Sequence, residues 1–138
     1  EWKQRNMTVL IHSQFNDTKS TLFRIVRSVA AQGEIETVTD FAELVQRLRQ
    51  PRGDLNVVIL EAADNEKLDE LLSIRDLLDD LRIILILHDT KDEALTQGHQ
   101  LRPRFLTNAS YGFLDVAAVL ERMLENTRDL PNALRKQA

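Results

Sequence analysis

The chain has 138 residues, 43% of them hydrophobic and 29% charged, which fits one soluble globular domain with a core of its own. Its net charge of −4 and pI near 5.4 imply no strongly basic face, so no nucleic acid is expected as a direct partner. The absence of cysteine excludes disulfides, cysteine-based zinc sites and thiol catalysis.

Residues 1–6 lack the apolar stretch of a signal peptide, and no apolar run is long enough to span a membrane. A cytoplasmic location without a membrane partner is therefore expected. Thr8, Val9, Leu10 and Ile11 form a short β-branched apolar run and read as the first strand. A polar stretch from Ser13 to Asp17 follows. Leu22, Ile25, Val26, Val29 and Ala30 then recur at helical spacing, with Gly33 as the stop signal. Residues 35–39 alternate and read as an edge strand. Asp40 and Glu43 have capping-box spacing and open a second helix through Phe41, Leu44, Val45 and Leu48, ended by Pro51 and Gly53.

Residues 56–60 are apolar on both faces, the pattern of a strand covered by helices on each side, and Glu61 follows directly. Asp64 or Asn65 caps a third helix whose inward stripe is Leu68, Leu71, Leu72, Arg75 (through its stem), Leu78 and Leu81. Residues 83–87 form a fourth, doubly covered strand. Thr90 and Glu93 have capping-box spacing for a short fourth helix containing Ala94 and Leu95, broken near Gly98. Residues 104–107 are the fifth strand. Asp115 caps a fifth helix with Val116, Val119, Leu120, Met123 and Leu124 facing inward, and Pro131 ends or kinks it. The expected organisation is an N-terminal extension at 1–7 with Met7 as a natural start, one domain at 8–128, and a tail or linker at 129–138.

Five strands alternating with five helices specify an α/β fold: a doubly wound, five-stranded parallel sheet of order 2-1-3-4-5, with helices on both faces. The alternative is the Rossmann type, but no Gly-x-Gly-x-x-Gly follows the first strand. Residues 12–17 contain no glycine, so a dinucleotide phosphate has no close backbone approach and no cofactor is expected. Ligands of open α/β folds gather at the carboxyl ends of the strands. Here those ends carry His12, Ser13 and Gln14; Glu61; His88 and Asp89; and Asn108 and Ala109.

Size, element order and these strand ends together resemble the receiver domain of two-component response regulators, over residues 7–126. The resemblance implies a magnesium-holding acid pair after the first strand and a phosphoacceptor aspartate after the third. It further implies a Thr or Ser after the fourth strand and Lys-Pro after the fifth, groups that grip a cation or a phosphoryl group. In this chain the acid pair falls on Ser13 and Gln14, or on His12 and Ser13 one residue earlier. The phosphoacceptor falls on Glu61. The hydroxyl position falls on Leu87 or His88, with Thr90 beyond, and Lys-Pro falls on Asn108 and Ala109. The scaffold matches and the motif does not, which implies a degenerate, pseudo-receiver signalling module that takes no phosphate and is not an enzyme. Its partner would be another protein or a fused output domain after Pro131. A second copy could instead dock through the family's usual face of fourth helix, fifth strand and fifth helix, where Arg102, Arg104, Glu121, Arg122 and Glu125 fall.

Glu61 has two readings. It is either a built-in mimic of a phosphorylated aspartate, its extra methylene carrying the charge outward, or a polar residue left behind at a strand end. His12, Glu61, His88 and Asp89 fall near one edge of the sheet, and imidazole with carboxylate suits zinc. They keep open a small α/β ligand- or metal-binding domain or enzyme. Their spacing matches no metal signature and the pleat can turn either histidine into the core, so no metal is assigned. Ser13 has neither a Gly-x-Ser-x-Gly elbow nor a glycine-rich oxyanion loop, so hydrolysis is not expected. Asp64 and Asp89 rank last, as residual phosphoacceptors. Phe105 and Tyr111 read as packing residues, and the acids at 76–80 as a solvated helix end.

Overall fold

The structure, a computed structural model, describes residues 8–30, 33–51, 53–88 and 91–128, with side chains as far as residue 124. In chain order the elements are β1 (Thr8–His12), α1 (Asn16–Val29), β2 (Glu34–Val38), α2 (Phe41–Arg49), β3 (Leu55–Ala62) and α3 (Asn65–Ser73). Then come α4 (Arg75–Leu78), β4 (Arg82–Leu87), α5 (Asp92–His99), β5 (Phe105–Asn108) and α6 (Leu114–Arg128). The five strands form one parallel sheet in the order β2-β1-β3-β4-β5, as the alternation of strands and helices requires.

The pleat divides the sheet's apolar residues between two cores. Val9, Ile11, Val57, Ile59, Ile84 and Ile86 face α1 and α6, where Leu22, Val26, Val116 and Leu120 meet them. Leu10, Val58, Leu60, Ile83, Leu85 and Leu87 face the opposite layer, packed on Leu44 and Leu48 of α2, Leu68 and Leu71 of α3 and Leu78 of α4. The inner stretches of the three central strands, residues 9–11, 57–60 and 83–87, are apolar because each side chain, whichever way it points, enters a core. Among the described residues no helix is long and apolar enough to cross a membrane.

Several elements differ from the sequence expectation. The third helix is two helices, parted at Ile74, whose N–H bonds back to the Leu71 carbonyl at 3.1 Å. The break shifts the helical phase, so Ile74 and Leu77 pack inward while Arg75 is exposed, and Leu81 is buried beyond the helix end. Asp64, rather than Asn65, is the cap of α3, accepting the Lys67 N–H at 2.8 Å. Lys91 occupies the cap position of α5 and its side chain makes no capping hydrogen bond, while the expected cap, Thr90, lies outside the described residues. α5 ends at His99, near Gly98 as expected, but the glycine itself is still helical and buried, where a Cβ would come within 2.9–3.3 Å of Leu106, Leu85 and Leu87. Asp115 lies in the first turn of α6 rather than at its cap. The box opening α2 is as read: the Glu43 carboxylate accepts the Thr39 and Asp40 N–H groups at 3.0 and 3.1 Å, which lowers its pKa. β3 is also longer than expected, so Glu61 lies inside the strand, paired with Ile86 of β4.

Candidate functional site

That extra strand length decides where Glu61 points. Alternation along β3 sends Glu61 to the same face as Val57 and Ile59, the face covered by α1 and α6. Continuing the pleat of Ile84 and Ile86 past the end of β4 sends His88 to that face too. Because Glu61 is level with Ile86, His88 stands one pleat further on, above the carboxylate.

Glu61 is buried, its side chain 1% exposed, and its two oxygens are engaged from three segments. Ser13, in the turn between β1 and α1, donates its hydroxyl hydrogen to Oε1. His88 places Nε2 2.5 Å from Oε2, the imidazole N–H donating to the carboxylate. Thr18, in the first turn of α1, reaches Oε2 at 3.5 Å. Ser13 is itself held, accepting the Phe15 N–H at 3.0 Å. The Phe15 ring lies 5.9 Å from the His88 ring, tilted by 59°. A buried carboxylate needs such donors, since desolvation without partners would cost several kcal/mol.

The arrangement puts the carboxylate at its centre. Ser13 and His88 both bond to Glu61 rather than to each other, so the imidazole does not hold the Ser13 proton and does not activate it as a nucleophile. Nor do these residues fit the magnesium ion that the receiver fold implies. The cation wants several carboxylate oxygens, whereas the single carboxylate is occupied by hydrogen-bond donors and the acid-pair positions hold a hydroxyl and an exposed amide, Gln14.

His12 is not part of this cluster. It is 1% exposed on the Leu10 face of β1, across the sheet from Glu61. Its Nδ1 has no hydrogen-bond partner. Burial holds its pKa below the ordinary 6.5 and Lys67 adds to the effect, while a hydrogen bond to Val38 and the charges of Glu61 and Glu70 oppose it. The pleat therefore divides the four residues considered for zinc: His12 on one face, Glu61 and His88 on the other, and Asp89 outside the described residues. Among the described residues no group of three or more His, Asp or Glu side chains is placed to hold a metal.

Asn108 also turns away, sharing the face of Leu106. Its Oδ1 accepts the Ser110 N–H at 2.8 Å and so caps a short 3₁₀ turn. Ala109, on the α1–α6 side, presents no charge to Glu61. The cationic partner expected from the fifth strand is thus replaced by an imidazole from the fourth. Gly112 and Phe113 follow with φ of 82° and 67°; glycine suits the first, while Phe113 is held by packing on the α1–α6 core. Phe105 packs on that core as read, but Tyr111 is 65% exposed and is not a packing residue. Arg102, Arg104, Glu121 and Arg122 are exposed around α5, β5 and α6, and the Glu125 side chain lies outside the described residues. Thr18 was not singled out in the sequence; the available signal was a hydroxyl in the first helical turn after β1, directly over the carboxyl end of β3.

Compared by sequence, the chain matches no protein-family model and no curated protein. Compared by structure, it is similar to a response regulator from Thermotoga maritima, with a TM-score of 0.70 at 10% identity over 87% of this chain and 98% of that one. It is similar to a protein from Burkholderia pseudomallei described as pilus assembly-related, with a TM-score of 0.69 at 16% identity over 90% and 93% of the two chains. It is also similar to the RcsB response regulator of Salmonella typhimurium, with a TM-score of 0.73 at 15% identity over 98% of this chain and 69% of the longer RcsB chain. The doubly wound sheet, which matches these structures along nearly the whole chain, has the fold of response-regulator receiver domains.

Proposed function

We propose that this domain, residues 8–128, is a non-catalytic, receiver-like signalling module of the cytoplasm that takes no phosphoryl group and works through contacts with a partner protein or a fused output domain. One observation carries the reading: the carboxylate at the phosphoacceptor position is buried and held by Ser13, Thr18 and His88. A glutamate held in one geometry meets the condition for acting as a permanent anion at this place. It holds His88, just past the end of β4, at the carboxylate without any external phosphate.

Incubation with magnesium and acetyl phosphate, followed by intact-mass measurement, tests this. The mass of the protein is expected to stay unchanged. A phosphoryl adduct, mapped to any carboxylate at the strand ends, would overturn the proposal.

A further inference from the structure

An open groove of about 450 Å³ runs between α1 and the edge strand β2, lined by Asn16, Lys19, Ser20, Phe23, Arg24 and Thr37. The α1 residues among them recur at three- and four-residue spacing and form one helical face. Lys19 is fixed across the groove by a hydrogen bond from Nζ to the Thr39 hydroxyl, so its ammonium is positioned before any ligand arrives. Phe23 is 38% exposed at the middle of this face, with the Arg27 guanidinium 5.6 Å over its ring.

The strand's own acids are turned away. Glu36 is bound by Arg47 of α2 at 2.6 Å, and alternation gives Glu34 the same direction, while Ile35 and Thr37 face α1. Two cations, and no carboxylate, therefore line this groove in a protein of net charge −4. The groove calls for an anionic ligand, and its other features say which kind. Five of the six lining residues are exposed, whereas a small-molecule site encloses most of its ligand. Two cations are few for nucleic acid, where affinity is built from many phosphate contacts. An exposed aromatic flanked by arginine is the composition of a protein interface.

We propose that the α1–β2 groove docks an acidic peptide segment of a partner protein, with carboxylates on Lys19 and Arg24 and an apolar side chain on Phe23. This rests on the reading of the domain as a protein-interaction module but on none of the groups that hold Glu61. The test is an amide NMR titration of the full chain with a synthetic glutamate-rich peptide carrying leucines on one helical face, at low salt. Shifts are expected at Asn16, Lys19, Phe23 and Thr37. Lys19→Glu combined with Arg24→Glu is expected to weaken binding by about tenfold or more, and added salt to weaken it too. Phe23→Ala is expected to weaken it as well, and Arg49→Glu on α2 to leave it unchanged. The proposal is overturned if the shifts map elsewhere or if charge reversal has no effect. It is equally overturned if inorganic phosphate or an oligonucleotide reproduces the same shifts at equal charge. Failure here leaves the Glu61 reading intact, and phosphorylation at the strand ends would leave this groove intact, so the two are separable.

Discussion

Replacing His88 with alanine is expected to destabilise the domain by about 2–3 kcal/mol, whereas the same replacement in a Glu61→Gln background is expected to cost about 1 kcal/mol or less. The asymmetry follows from which partner is buried. The Glu61 side chain is 1% exposed and the His88 side chain 36%. Removing the imidazole leaves a buried carboxylate with only the Ser13 and Thr18 hydroxyls as donors. Losing one partner of a fully buried pair costs roughly 3–5 kcal/mol, and the partial exposure of His88 lowers the figure through solvent screening. Once Glu61 is a neutral amide, no stranded charge remains and the loss is mainly packing against Phe15. Urea unfolding of the four proteins of the cycle measures the coupling. Equal costs in both backgrounds would mean that the pair does not hold the site together.

A second large effect concerns His12 and is read in the pH dependence of stability. Burial lowers its folded-state pKa from 6.5, so the unfolded chain binds the proton first as the pH falls. Stability from the neutral, buried imidazole is fully present above about pH 6.5. It is lost as the pH falls from there toward the lowered folded value, below which the slope contributed by this residue vanishes. The His12→Leu variant is expected to lose much less stability across that window. At pH 7 it is expected to match the parent or exceed it by up to about 1 kcal/mol, because Nδ1 is buried without a partner. The Val38 carbonyl keeps its bond from the Ser13 N–H at 3.3 Å in the variant. Only residue 12 differs between the two proteins, so the difference between the two curves isolates His12. Identical slopes would show that His12 is not a buried neutral group.

The sheet was legible because its strands carry a redundant signal. Residues 57–60 and 83–87 are apolar on both faces, and such runs fit only the centre of a doubly covered parallel sheet. The edge position of β2 followed from its alternation in the same way. The split of α3 from α4 was not legible: no glycine or proline marks Ile74, and a one-residue phase change leaves the leucine spacing nearly periodic. Gly98 marks the end of α5 within one residue, but its second role was not legible: the close packing on Leu85, Leu87 and Leu106 leaves no room for a side chain there.

At the candidate site, the residue types at the strand ends were legible but their pairing was not. In the sequence Glu61 reads as following its strand, and the family's lysine position after the fifth strand falls on Asn108. Extending β3 through Ala62 reverses neither residue, but it fixes the pleat and the register with β4 that bring His88 onto Glu61. The same alternation sends His12 to the other core and Asn108 to the face of Leu106. Register is a property of two strands at once, so no run of residues in one of them could reveal it.

The most direct test of the central claim is an amide NMR titration of the full chain with magnesium and beryllofluoride, which together imitate a bound phosphoryl group. With Glu61 already held by Ser13, Thr18 and His88, the account predicts no saturable shifts at Ser13, Glu61 or His88. Saturable shifts centred on these residues would contradict it, showing that the strand ends still form a phosphate-responsive site.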